Sequence, residues 1–263
     1  RPRVHAIGCA EARDRVVYTR PGMTDPTLPT AQMHLVRPRD AVRVRLVESR
    51  SCLAGPSSNF VRHLAFDVTG TPLENAFLPG QAIGVVADGT TDRGASHTVR
   101  LYSISSPRWG EDGRGRILST TCKRLIGERS DPGGEHGLFL GLCSNFLCDA
   151  RVGDEIRVTG PSGKRFLLPL HPERHDYVMV ATGTGIAPFR GMILELLRHP
   201  DGPRDVDIHL IAGVPYATDL MYRDLFEELA TAHPRFHYHP VISRPDAGPR
   251  RYVEDYLREA TGP

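Results

Sequence analysis

Residues 97–107, HTVRLYSISSP, decide how the rest of the sequence is interpreted. Alternate residues of a strand share a face, so we expect Arg100 and Tyr102 to point to one side and Ser103 to the other. A guanidinium pairs with two phosphate oxygens at once, and a tyrosine ring offers a flat surface for a second ring. The stretch therefore predicts a strand that binds a flat, anionic ligand with the shape of a flavin nucleotide.

The segments around this stretch alternate apolar and polar residues over short runs, and turn residues separate one run from the next. Such alternation is typical of half-buried strands, and a series of them with almost no helical pattern predicts a small antiparallel β-barrel. The predicted strands lie within 41–49, 61–70, 78–88, 98–105, 115–125 and 153–161.

One segment of this first half, GLCSNFLCDA at 141–150, carries a helical pattern instead. Its start, with Ser144 or Asn145 as the predicted N-cap, offers free N–H groups that can bind a pyrophosphate. A structural helix with buried cysteines explains the same residues, and the pattern alone favours that second interpretation.

After Pro172, apolar runs that predict fully buried strands alternate with helical segments. This alternation specifies a parallel, doubly wound α/β sheet. We expect the first helix to be amphipathic and to run through Leu197, and the second to have Asp219 near its cap. The predicted strands are 176–182, 206–214 and 235–244, and the predicted helices lie within 183–200, 218–233 and 251–260.

Gly183, Thr184 and Gly185 lie between the first of these strands and its helix. Glycines let the backbone approach a phosphate, and a helix N-terminus adds unpaired N–H groups and a positive dipole end. The order of strand, glycine turn and helix is the context that a dinucleotide site requires. The same turn also suits packing alone, because the third glycine of the dinucleotide fingerprint is missing and Pro188 closes the loop.

The ends of the later strands carry residues that suit a phosphorylated ribose. Ser243 and Arg244 end the third strand, Arg250 follows closely, and Tyr252 offers a ring for an adenine. The second strand ends at 213–215 without the acid that grips a ribose diol, which favours NADP over NAD. A solvated loop in a chain rich in arginine is the alternative explanation.

Composition and charge exclude several classes of function. The chain has 263 residues and a net charge of +2, which does not support nucleic-acid binding. No apolar run approaches the ~20 residues that span a bilayer. Five cysteines without a CxxC pair argue against a disulfide framework or an iron–sulfur site and favour a reducing cytoplasm. His237 and His239 alternate on one strand without a third convincing ligand, so we predict no metal site.

The motifs RLYS, KRL, CSNFLCD, GTGIAPFR, GVP and ISR, in this order, resemble the plant-type ferredoxin–NADP reductase family. The resemblance runs from about Val42 to the last residue. It implies an FAD-binding antiparallel β-barrel domain at 38–170 and an NADP-binding α/β domain at 171–263, with 1–37 as an extended arm or linker. Because the family continues beyond the last helix with a further strand and a terminal aromatic, we expect this α/β domain to be incomplete at its C-terminus.

The resemblance also assigns roles to residues. Arg100 would hold the FAD pyrophosphate, Tyr102 would stack on the isoalloxazine, and Ser103 would be the catalytic residue beside the flavin N5. Gly127 stands where members often have a Tyr near the FAD adenine. The residues implied for FAD are Arg100, Leu101, Tyr102, Ser103, Thr121, Cys122, Lys123, Leu142, Cys143 and Ser144, and those implied for NADP are Thr184, Gly185, Val214, Pro215, Ser243, Arg244, Arg250 and Tyr252.

The activity that the resemblance implies is oxidation of NADPH by FAD, with single electrons passed to a ferredoxin or flavodoxin-type carrier. An oxygenase component is a further candidate partner, because the reductase component of a benzoyl-CoA epoxidase-like system resembles this architecture. The alternative is a flavin- or nucleotide-binding module without efficient turnover.

Overall fold

Two main sheets, one antiparallel and one parallel, organise the computed structural model, which describes residues 4–8, 26–90, 94–130 and 136–261. The strands are β1 (Val4–Gly8), β2 (Val42–Ser51), β3 (Val61–Asp67), β4 (Ala82–Val86), β5 (Arg100–Ser103), β6 (Ile117–Lys123), β7 (Ile126–Ser130), β8 (His136–Leu140), β9 (Glu155–Ser162), β10 (Asp176–Thr182), β11 (Ile208–Val214) and β12 (Phe236–Ile242). The helices are α1 (Leu142–Asp149), α2 (Ile186–Leu197), α3 (Arg223–Ala232) and α4 (Val253–Thr261).

The antiparallel sheet has the strand order β5-β4-β9-β2-β3-β6 and closes on itself. A bridge between Ile104 and Thr120 joins its edges, and the Ser105 N–H donates to the Ser119 carbonyl oxygen at 2.8 Å. Alternate residues of β2 point inward and are buried, as the alternating sequence requires. The predicted antiparallel barrel is confirmed.

The segment between β6 and β9 differs from the sequence prediction. β7 and β8 form a hairpin that the pattern does not predict, because Leu138 and Phe139 are both exposed and do not alternate with polar residues. α1 begins at Leu142, so the prediction of Ser144 or Asn145 as its N-cap is wrong. Both side chains instead donate to the Gly141 carbonyl oxygen, at 3.0 and 2.8 Å.

The second sheet is parallel, in the order β1-β10-β11-β12, and confirms the predicted α/β fold. Its central strands are apolar because both faces are covered, and Met179, Ile208 and Leu210 are completely buried. Within the segment predicted as an arm, β1 pairs with β10, and Val36 exchanges hydrogen bonds of 2.9 Å with Gly160 of the barrel. The described parts of the arm are therefore packed against both halves.

The prediction that α2 is amphipathic is wrong, because every one of its residues is buried. The helix lies between the parallel sheet and the barrel, so its polar side also faces protein. Arg190 pairs with Glu111 of the barrel, and Glu195 pairs with Arg108. Buried charges are tolerated when they are paired in this way.

The helix predicted at 218–233 is shorter in the structure, because α3 begins at Arg223. Asp219 does not cap it. This side chain instead accepts the Tyr216 N–H at 3.3 Å and stabilises a single 3₁₀ turn over Ala217–Asp219. Asp219 also accepts from Asn59 of the barrel at 2.9 Å, a tertiary contact that a local pattern does not reveal.

The two halves meet along a seam of backbone and ionic contacts. Leu53 and Met221 form an antiparallel bridge between the barrel and the segment before α3. Arg190 donates to both carboxylate oxygens of Glu111, at 2.5 and 3.0 Å, and to the Ser105 carbonyl oxygen at 2.8 Å. Burial raises the pKa of Glu111, but the charge and hydrogen bonds of Arg190, together with His63 and the Ser119 hydroxyl, outweigh burial and hold that pKa below its usual value.

His63 lies in the same seam and is buried, with 1% of its surface exposed. Its Nδ1 is 3.0 Å from the Tyr222 hydroxyl, whose other partner is the Thr121 hydroxyl at 2.5 Å. Burial, and then the nearby Arg190 charge, lower the pKa of His63 from 6.5 to about 3. The imidazole is therefore neutral at physiological pH.

We expect Gly191→Ala to destabilise the protein by about 1–3 kcal/mol, although alanine favours a helix. A Cβ at this position would lie 2.6 Å from the Ser106 carbonyl oxygen and 3.3 Å from Pro79. The control is Gly127→Ala in the hairpin, where the nearest atom to a new Cβ is at 4.0 Å. Urea unfolding checks this, and equal midpoints for the two variants would contradict close packing at the seam.

The buried His63 should make the protein less stable in acid. Below pH 6.5 the unfolded state binds a proton at His63, whereas the folded state does so only near pH 3, so stability falls with pH across this window. Between about pH 7 and pH 5, we expect the free energy of unfolding to fall by about 2 kcal/mol less in His63→Gln than in wild type. Urea unfolding at both pH values checks this, with the exposed His171→Gln as control. Parallel losses in wild type and His63→Gln would refute it.

Candidate functional site

A cavity of about 700 Å³ opens on the barrel beside β5, β6 and the start of α1. Most of the residues predicted for FAD line it, and three do not. Cys122 is buried in the barrel core, Thr121 is in the seam, and Ser103 is half-buried at the end of β5. The predicted residues that line the cavity are Arg100, Leu101, Tyr102, Lys123, Leu142, Cys143 and Ser144.

The cavity has free positive charge and free backbone donors. Arg100 and Lys123 are exposed, and within the described part of the chain neither forms an ion pair. The first turn of α1 lines the same cavity, and a helix N-terminus favours an anion through its unpaired N–H groups. These groups together suit a pyrophosphate.

Tyr102 forms the inner wall of this cavity. Its ring packs against the barrel core, and its phenol lies near the thiols of Cys122 and Cys143. Burial raises the pKa of Tyr102 far above its usual value, so the phenol stays neutral. The result is a neutral ring in a wall that also holds the cations Arg100 and Lys123 and several apolar side chains, among them Leu125 and Phe139.

A second cavity, of about 170 Å³, lies at the carboxyl ends of β10, β11 and β12. Backbone hydrogen bonds from Ser243 to Val214 at 2.9 Å and from Arg244 to Pro215 at 2.8 Å hold the strand ends together. Gly183 has φ +53°, and a Cβ there would meet nothing within 4 Å, so the turn is open on the cavity side. Of the predicted NADP residues, Val214, Pro215, Ser243 and Tyr252 line this cavity.

The remaining predicted NADP residues lie around this cavity rather than in its wall. Thr184 and Gly185 complete the 3₁₀ turn that begins at Gly183. Arg244 is 6.0 Å from the centre of the Tyr216 ring, and Arg250 is exposed.

Arg251 lines the second cavity although the sequence prediction selects only Arg250. Its guanidinium lies over the Tyr256 ring at 4.8 Å and pairs with Glu259, while its Nε is buried without a partner. Two adjacent arginines just before a helix are the signal that would have included it.

The glycine turn of the α/β half lies close to the barrel. Gly183–Gly185 packs against β6, the strand whose Lys123 lines the barrel cavity. Among the described residues, no group of three or more His, Cys, Asp or Glu side chains could hold a metal. Across those same residues, the helices are all too short or too polar to cross a bilayer.

Comparisons with known proteins agree on one family. A family model described as an oxidoreductase NAD-binding domain matches residues 179–263. The ferredoxin–NADP reductase of Picosynechococcus sp. is 35% identical over 91% of this chain and 59% of its own length. The Arabidopsis thaliana root isozyme 1 is 32% identical over 94% of this chain and 66% of its own length. The chain thus spans about three fifths to two thirds of these relatives.

A solved structure of a ferredoxin–NADP⁺ reductase from Plasmodium falciparum with 2′P-AMP shares the fold, with a TM-score of 0.72 at 22% identity. The match covers 88% of this chain and 83% of the Plasmodium falciparum chain. The ferredoxin–NADP reductase of Spirulina sp. is 33% identical over 86% of this chain and 77% of its own length. Given this identity and coverage, the chain belongs to the ferredoxin–NADP reductase family.

Proposed function

We propose that this protein is an FAD-dependent NADPH oxidoreductase that passes single electrons to a ferredoxin-type carrier. The observation that supports it best is the contact between the Gly183–Gly185 turn and β6. This contact brings a dinucleotide-type turn at the ends of a parallel sheet next to the strand that lines the barrel cavity. Each half would thus offer one nucleotide site, with the glycine turn of one half close to a strand of the other.

Bound FAD would supply the redox chemistry, taking hydride from NADPH and releasing electrons one at a time. The barrel cavity suits this cofactor because Arg100 and Lys123 are unpaired cations within the described residues and α1 begins in its wall. Tyr102 would orient the flavin ring. Ser103, whose carbonyl oxygen is held by the Thr120 hydroxyl at 2.7 Å, would donate a hydrogen bond near the flavin N5.

We further propose that the second cavity prefers NADPH to NADH. Arg244 and Arg250 are exposed cations beside it, and neither pairs with a carboxylate in the described part of the chain. The structural neighbour was solved with 2′P-AMP, whose extra phosphate would need such cations. Thr184, Gly185, Val214 and Pro215 would contact the nicotinamide nucleotide, and Ser243 and Tyr252 the adenine end.

A ferredoxin is the electron acceptor that we propose, because the relatives bear that name. A carrier with an acidic surface would associate with the protein through complementary charge. Such association should weaken with salt. A flavodoxin-type carrier and an oxygenase component are the alternatives that acceptor assays would distinguish.

We also propose that the two domains divide after residue 170. We further propose that the protein is located in a reducing cytoplasm. One hydrophobic cluster lies within the barrel, and a second is formed mainly by the parallel sheet and its helices, with Cys52 and Val61 added from the barrel half, which supports the division. The cysteines at 52, 122, 143 and 148 are free, which is consistent with a reducing compartment.

The absorbance spectrum of the purified protein tests the proposed function. We expect a yellow protein whose flavin bleaches on anaerobic addition of NADPH, and more slowly with NADH. A yellow protein that does not bleach would support a binding module without turnover. A colourless protein that takes up no FAD would contradict both.

Ser103→Ala should lower the rate of anaerobic flavin reduction by about 100- to 1,000-fold, the scale of losing one donor near developing charge. FAD content should not change, because the cations and α1 bind the pyrophosphate. Stopped-flow absorbance measures the rate. Ser162→Ala, on the other strand that pairs with Ala82, is the control and should behave as wild type. An unchanged rate in Ser103→Ala would refute its role.

Arg244→Ala should raise the KM for NADPH by about 10- to 100-fold, the value of one charge-assisted hydrogen bond. The KM for NADH should stay the same, because NADH lacks the phosphate. Steady-state kinetics with both nucleotides measure this. The control is Arg235→Ala. Arg235 lies just before β12, and its guanidinium pairs with Asp205 and Asp207. Equal effects on both nucleotides would mean that Arg244 does not read the phosphate.

A further inference from the structure

Tyr222 occupies a strained position in the seam between the two halves. Its backbone has φ +56° and ψ +28°, a left-handed conformation that bulky side chains rarely adopt, and its side chain is buried. Its N–H donates to the Cys52 carbonyl oxygen at 2.8 Å, next to the bridge between Leu53 and Met221. Strain of this kind persists where the surroundings hold a residue from several sides.

The Tyr222 side chain is held from three directions. Its hydroxyl lies 2.5 Å from the Thr121 hydroxyl and 3.0 Å from the His63 Nδ1, and both partners belong to the barrel. The Arg190 guanidinium lies over the ring, 5.0 Å from its centre. Tyr222 thus joins the segment before α3 to two strands of the barrel, β3 and β6.

Thr121 connects this contact to both cavities. It lies on β6, two residues before Lys123, which lines the barrel cavity, and the Gly183–Gly185 turn packs on the same strand. Its neighbour Thr120 donates to the carbonyl oxygen of Ser103. The Tyr222 hydroxyl therefore holds the strand that carries Lys123 of the barrel cavity and that the glycine turn contacts.

We propose that Tyr222 is a positioning residue, whose hydroxyl fixes β6 relative to the glycine turn and so sets the alignment of the nicotinamide with the flavin. The inference rests on the proposed function. Transfer between two bound rings depends steeply on geometry, and a misplacement of about 1 Å can cost about 100-fold in rate. Neither cofactor needs to touch Tyr222 for this effect.

The hydride-transfer rate of Tyr222→Phe tests the proposal, because this change removes only the hydroxyl. We expect anaerobic flavin reduction at saturating NADPH to fall about 10-fold or more, with FAD content and the Kd for 2′-phospho-AMP unchanged. The matched control is Tyr177→Phe, a buried tyrosine on β10 whose hydroxyl donates to the Pro172 carbonyl oxygen at 2.8 Å. It should lower thermal stability without changing the rate.

Changes at Thr121 provide a second arm if Tyr222→Phe does not fold. Thr121→Val loses the hydroxyl that meets Tyr222 and should lower the rate to a similar extent, whereas Thr121→Ser keeps a hydroxyl and should restore it. The double variant of Tyr222→Phe and Thr121→Val should be no slower than Tyr222→Phe alone, because that single change already removes the contact with Thr121.

The outcomes separate this proposal from the proposed function. If wild type bleaches with NADPH while Tyr222→Phe and Thr121→Val reduce at the wild-type rate, the positioning role is wrong and the proposed function stands. A loss of thermal stability alone in these variants would likewise show a purely structural contact. If the yellow wild type does not bleach, both proposals fall together.

Discussion

The ion pair between Arg190 and Glu111 is the interaction on which the relation between the two halves depends. Arg190 lies on α2, which packs on the parallel sheet, and is almost fully buried, so its charge needs a partner at close range. Glu111 supplies both carboxylate oxygens from the barrel, and the Ser105 carbonyl oxygen takes a third hydrogen bond. Losing Glu111 while the halves stay packed would leave the Arg190 charge buried without its partner, which costs several kcal/mol.

This constraint matters because the candidate site is divided between the halves. The barrel contributes cations and a fixed tyrosine ring, and the sheet contributes an open glycine turn at its carboxyl edge. Each cavity is lined by residues of one half, and the seam residues Arg190, Glu111 and Tyr222 line neither cavity. In a flavoprotein of this family, the protein contributes mainly orientation and electrostatics, so residues remote from the cofactors can control the rate.

Local periodicity was sufficient to predict the barrel strands and the parallel sheet, because both patterns report burial on one face or on two. It could not predict contacts between distant segments. α2 looks amphipathic because Arg190 and Glu195 are charged, yet both are paired across the seam. Asp219 looks like a helix cap, but it is held by the barrel residue Asn59. Motif order located many of the residues that line the cavities, but missed Arg251, whose ring contact and ion pair depend on α4.

Val61 and Cys52 belong to the barrel half of the chain, yet both pack in the hydrophobic cluster of the parallel sheet. The two halves therefore share part of one core. A barrel of this kind is a poor module for recombination, since a chimera with a foreign nucleotide-binding half would cut through apolar packing as well as through surface contacts. A chimera of two relatives should fold only when its β2–β3 connection and its parallel-sheet half come from the same protein.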